Sequence, residues 1–183
     1  YLDKADARRV LEDMWGNPPD DSVLGMIVPR SPSLSEQDSW AVVVTWSDDG
    51  YVSDEDASKI EVVEFFSYGC PHCADFNPLL SAWIARQQGD VVVKKVPITF
   101  GRAAWANIAK LYYTLEITGD LQRLEGDVFK AIHVERQNLF EERALTEWVV
   151  KKGVDAKKFS ETFNSFGVMS KVKRGDQMAQ AYK

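Results

Sequence analysis

Cys70 and Cys73 are the two cysteines of this 183-residue chain, and they stand together in the run Phe65-Phe66-Ser67-Tyr68-Gly69-Cys70-Pro71-His72-Cys73. Thiols at this spacing can hold a metal, staple a short loop or exchange disulfides. A structural zinc site needs a full tetrahedral set of ligands. Beyond Cys70, Cys73 and His72, this half of the chain offers only the distant His133. His72 lies between the thiols and would have to fold back onto the same ion. A disulfide that closes so short a loop constrains the unfolded chain little. Redox exchange is the chemistry that fits best.

The elements around the pair say how such chemistry would be positioned. Glu61-Val62-Val63-Glu64-Phe65-Phe66-Ser67 reads as a buried strand, Tyr68-Gly69 as a turn, and Cys70 to Gln87 as the helix that follows. Cys70 then falls at a helix N-terminus, where free N–H groups and the macrodipole favour negative charge and lower a thiol pKa. Pro71 fits the first helical turn because its missing N–H had no partner there. His72 can add positive charge or an N–H donor beside the Cys70 sulfur. Cys73, one turn into the helix, is expected to be more buried and less acidic, which suits a resolving thiol. A stabilised thiolate makes the disulfide form the stronger oxidant, so the pair is expected to give disulfides away. Glu64 shares a strand face with Val62 and Phe66. Buried there, its pKa would rise and it could exchange the proton that Cys73 must gain or lose. His133 reads as a helix-packing or capping residue, and Phe65, Phe66, Phe76, Trp83, Tyr112, Tyr113 and Phe129 read as core.

The rest of the chain divides in two. Residues 1–58 hold a short amphipathic helix closed by Gly16-Asn17-Pro18-Pro19, β-rich runs at 23–28 and 39–46, a turn at 47–50, and a polar acidic stretch at 53–58. From residue 59 onward, strand, helix and a second strand at 91–98 make a βαβ unit with a right-handed crossover expected. Helical patterns follow at 105–117, 121–134, 145–152, 156–166 and 168–182, with Gly119 and Gly153 at helix ends. The inserted helical part is placed at about 101–166. Composition is that of a soluble globular protein, 45% hydrophobic and 27% charged. A net charge of −6 argues against nucleic acid as the main partner. No apolar run approaches the roughly 20 residues that a membrane span needs. The chain begins at Tyr1 without a signal-peptide pattern, which leaves its location open.

The residues from 59 to 183 resemble the DsbA family of periplasmic thiol:disulfide oxidoreductases, in particular its β-proteobacterial branch. The resemblance rests on Ile60 to Cys73, on Val96-Pro97-Ile98, on Leu111-Tyr112-Tyr113, on Ala131-Ile132-His133-Val134-Glu135-Arg136, and on Gly153-Val154-Asp155 through Phe163-Asn164-Ser165-Phe166. It implies an α/β fold, a thioredoxin-like core with an inserted helical domain. It also implies that Cys70 is the exposed nucleophile, Cys73 the buried partner and Glu64 a buried acid. No organic cofactor is implied, the redox group being the Cys70–Cys73 disulfide. The implied partners are reduced, unfolded secreted proteins and a quinone-linked membrane oxidase of the DsbB type, in the periplasm. Family members continue past the helix ending near Tyr182 with a Gly-Val-Pro-Thr type of segment, whose cis-proline faces the disulfide, then two strands and a helix. No such segment follows before Lys183, so a C-terminally truncated core is expected.

Residues 1–58 resemble part of an uncharacterised bacterial membrane-anchored family, through Trp15-Gly16-Asn17-Pro18-Pro19, Val23 to Pro29 and Asp49 to Ala57. The chain therefore reads as two joined pieces, meeting near Lys59-Ile60. The β-runs at 23–28 and 39–46 are expected to pair with the later strands and replace the missing flank of the sheet, with Val28-Pro29 imitating the lost Val-Pro. The rival reading is a non-catalytic binding or membrane-associated module that carries an incomplete, inactive redox domain.

Overall fold

The computed structural model describes residues 43–44, 60–87 and 91–181. The expected helix near the N-terminus, the β-run at 23–28, the Val28-Pro29 mimicry and the acidic stretch at 53–58 lie outside the described residues. The described chain forms two compact units. One ends its first segment at Phe66 and resumes over Asp75–Val96; the other comprises Ser67–Ala74 and the chain from Pro97 onward.

The first unit holds a three-stranded sheet in the order β1 (Val43–Val44), β2 (Ile60–Phe66), β3 (Val91–Pro97). β1 runs antiparallel to β2, with Val43 opposite Val63 and Val44 opposite Val62. The expected pairing of the 39–46 run with the Val62 strand is thus present over these two residues. β2 is central, and Val62, Val63, Glu64, Phe65 and Phe66 are all buried. A strand covered on both faces needs apolar side chains on both instead of alternation; Val62, Val63, Phe65 and Phe66 supply them, and Glu64 is the buried exception. Helix α1 (Pro71–Ile84) connects β2 to β3, and from Asp75 on it belongs to this unit, burying Phe76, Leu80 and Trp83.

The second unit is helical. A 3₁₀ turn (Ala103–Trp105) leads into α2 (Ala106–Thr118), followed by α3 (Leu121–His133), α4 (Glu142–Lys151), α5 (Ala156–Phe163) and α6 (Phe166–Ala181). α2 is the hub and packs on α3, α5 and α6. It therefore buries residues around most of its circumference, including Ile108, Leu111, Tyr112, Tyr113 and Leu115. Gly119 ends it in the left-handed region at φ 85°. The Asp120 N–H bonds back to Leu115 O at 2.9 Å, so the orphan carbonyls of the last turn are used. Gly153 takes the same conformation after α4.

Asp155 caps α5 by accepting from Lys158 N–H at 2.7 Å. Ser165 caps α6 by accepting from Val168 N–H at 3.2 Å. That cap explains two shifted boundaries. The helix expected over 156–166 stops at Phe163, and the one expected from 168 begins at Phe166. Asp176 on α6 ties that helix to the loop after β3, accepting from Thr99 N–H at 2.7 Å and from Thr99 Oγ1 at 2.9 Å. The seven aromatic residues read as core are all buried.

Candidate active site

The turn between β2 and α1 is closed by its own backbone. Ser67 O accepts from Cys70 N–H at 3.0 Å, and Ser67 Oγ accepts from Gly69 N–H at 3.2 Å. Position 69 has no room for a side chain, since a Cβ there would lie 2.9 Å from Trp105 Cε2 and Nε1 and 3.1 Å from Ile108 Cδ1. Cys70 O accepts the first helical bond, from Ala74 N–H at 3.1 Å, which makes Cys70 the N-cap and Pro71 the first helical residue. The next two amides, of His72 and Cys73, then have no carbonyl within the helix to bond.

Those amides are turned to the Cys70 sulfur. The Cys70 thiol is pulled down to about 6, foremost by a hydrogen bond from the Cys73 thiol, against the opposing effect of burial. The backbone N–H groups of Cys73 and His72 and the charge of His72 add to the stabilisation. Both cysteines are free thiols. Cys73 is 0% exposed and Cys70 5%. The expected order of burial holds, but the expectation of an exposed nucleophile does not. The sulfur is drawn back onto the helix N-terminus and onto Cys73, the same contacts that acidify it. Pro71 is exposed and His72 half-exposed.

Glu64 belongs to the sheet-bearing unit and is fully buried, the placement that the resemblance implies. Its Oε2 lies 3.4 Å from Lys95 Nζ on β3, and that ammonium also donates to Asn77 Oδ1 at 2.7 Å. The sequence reading missed Lys95 and Asn77. The available signal was a lysine interrupting the apolar run of β3, on the same strand face as Val91, Val93 and Pro97.

In the other unit His133 Nε2 lies 2.7 Å from Tyr68 O, so the residue read as packing or capping fastens the turn that precedes Cys70. The Tyr68 ring meets Phe129 edge-on at 4.8 Å, and His133 stacks over Phe129 at 6.3 Å. Among the described residues no group of three or more His, Cys, Asp or Glu side chains is placed to hold a metal. No described helix is long and apolar enough to cross a membrane.

A family model described as a DSBA-like thioredoxin domain matches residues 61–183. The chain belongs to this family. Among curated relatives of the DSBA-like domain, the thiol:disulfide interchange protein DsbA of Bordetella parapertussis is 46% identical over 125 residues. That alignment covers 67% of this chain and 58% of the relative, so the chain spans under two thirds of the relative's length. Among solved structures, Pseudomonas aeruginosa DsbA superposes with a TM-score of 0.66 at 36% identity, covering 72% of this chain and 68% of that one. DsbA from Xylella fastidiosa gives a TM-score of 0.63 at 35% identity, covering 68% and 67%. The DSBA-like domain is thus a thioredoxin-like α/β fold with a helical insertion. A second family model, described as a protein of unknown function (DUF2167), matches residues 1–68 and overlaps the first over 61–68.

Proposed function

We propose that the chain is a protein thiol:disulfide oxidoreductase that donates its Cys70–Cys73 disulfide to reduced, unfolded secreted proteins. The observation that carries this reading is the Cys70 sulfur at a helix N-cap, faced by the His72 and Cys73 amides and lowered to about 6. In the exchange, a substrate thiolate attacks Cys70 Sγ of the disulfide. A substrate–Cys70 bond forms, the Cys70–Cys73 bond breaks, and Cys73 departs as a thiolate that takes up a proton. A second substrate thiolate then attacks the substrate sulfur of the mixed disulfide and expels Cys70 as a thiolate. The substrate loses two electrons to the cysteine pair. A quinone-linked membrane oxidase of the DsbB type takes them and restores the disulfide. The reaction needs an oxidising compartment, and the periplasm named for the family provides one. The low pKa of Cys70 makes it the better leaving group, which favours release of an oxidised product.

The test is oxidation of a reduced, unfolded disulfide protein by the oxidised chain. Oxidation that is lost in Cys70→Ser, together with a trapped mixed disulfide on Cys70 in Cys73→Ser, supports the reading. A pair that stays inert toward such substrates overturns it and favours a non-catalytic module.

A further inference from the structure

We propose that His133 is a positioning residue for disulfide exchange: by donating Nε2–H to the Tyr68 carbonyl, it fastens to α3 the turn that sets Cys70 at the helix start, its sulfur facing the His72 and Cys73 amides. The inference rests on the exchange reading above, and its argument begins with the turn. Ser67, Tyr68, Gly69 and Cys70 form a β-turn, closed by the bond from Cys70 N–H to Ser67 O at 3.0 Å. The peptide that can flip in such a turn is the central one, between Tyr68 and Gly69. Flipping it converts a type I turn into type II, which requires positive φ at the third residue. Glycine is the residue for which that conversion is open. Gly69 nevertheless stays out of the positive-φ region. The peptide is held at both ends: Ser67 Oγ takes its N–H from within the turn at 3.2 Å, and His133 holds its oxygen from α3.

The carbonyl of that central peptide is Tyr68 O, the group that His133 meets at 2.7 Å. A carbonyl only accepts, so the nitrogen facing it must carry the proton. A flipped peptide would turn this oxygen away and present an N–H in its place. α3 holds the turn twice, since Phe129, one helical turn before His133, packs on the Tyr68 ring at 4.8 Å while His133 holds the backbone. Tyr112 on α2 lies against the same ring at 6.4 Å. Cys70 follows the flippable peptide by one residue. Cys70 is the last residue of this turn and the N-cap of α1, so a turn fastened to α3 gives the sulfur a fixed base from which to meet the helix amides. Placing a reactive group by a fixed partner from a rigid helix is the general way such geometry is maintained.

The experiment titrates the Cys70 thiolate by its ultraviolet absorbance in the reduced wild-type chain, in His133→Leu and in His133→Gln, with the fold checked by circular dichroism. The Gln amide nitrogen occupies the place of Nε2 and keeps the donor. The expected result is a midpoint raised by about one unit in His133→Leu and restored in His133→Gln. A low midpoint in wild type that is unchanged in His133→Leu overturns the role of His133 and leaves the exchange reading standing. A wild-type midpoint near that of a free thiol, about 8.5, overturns both. If the leucine variant does not fold, the wild-type chain still decides. Nitrogen-correlated proton spectra that show a proton on Nε2 support the assignment, and a bare Nε2 with the proton on Nδ1 overturns it.

Discussion

At Cys70, acidity and stability are the same quantity seen twice. The folded thiol titrates at about 6, whereas in an unfolded chain it titrates near 8.5. Between those values the unfolded state holds the extra proton, so stability of the reduced protein rises with pH across the window. The contribution is complete above about 8.5 and is lost as pH falls through about 6; its full size is of order 3 kcal/mol. The oxidised protein has no such group. The melting temperature of the reduced form, relative to the oxidised form, is expected to climb between about pH 6 and 8.5. Paired thermal melts across that range check it, and a flat difference would remove the thiolate.

Glu64 and Lys95 make a second residue-scale case. Removing one partner of a buried ion pair costs about 3–5 kcal/mol, while replacing both by apolar groups costs far less. Glu64→Leu alone is expected to destabilise strongly, and Glu64→Leu with Lys95→Met to recover much of the loss. Urea unfolding of the two single variants and the double variant measures the coupling.

At the scale of elements, the join between β2 and α1 depends on a contact from the 3₁₀ turn. Gly69→Ala would place a methyl against the indole of Trp105, at 2.9 Å from two of its ring atoms. Overpacking of this kind costs about 1–3 kcal/mol. Shrinking the ring in a Gly69→Ala, Trp105→Leu double variant is expected to return part of it, as read by chemical denaturation. The strand, the turn, the helix start and the Gly119 and Gly153 helix ends were legible in the sequence because each is decided within a few neighbouring residues. The burial of Cys70 was not, since it depends on where the sulfur settles among amides. Nor were the long-range partners. Tyr68 and His133 stand 65 positions apart and Thr99 and Asp176 stand 77 apart, separations that carry no periodic signal. Lys95 was visible as a charge in an apolar strand, but its partners were not.

For the whole molecule, the two compact units are interleaved along the chain. The backbone passes from one to the other after Phe66, after Ala74 and again after Val96. The helical unit therefore depends on a short segment that precedes most of it in sequence. Tyr68, in that segment, is almost fully buried against Phe129 and Tyr112. A fragment starting at Pro97 keeps every helix of the unit from α2 onward but loses this ring. Deleting a buried aromatic side chain costs about 3–5 kcal/mol. The fragment is expected to melt well below the full chain and less cooperatively, as followed by helical circular dichroism. An equally sharp and equally high transition would show that the early segment contributes nothing to that core.

The indole edge resting on the bare α-carbon of Gly69 also constrains how this protein can change over generations. A mutation that adds a methyl at 69 is tolerable only in a background where position 105 has already lost its bulk. A smaller ring at 105 leaves a gap that a methyl at 69 would fill. In a large collection of descendants the two sites are expected to drift as a pair, and a lineage with alanine at the first and tryptophan at the second should be rare.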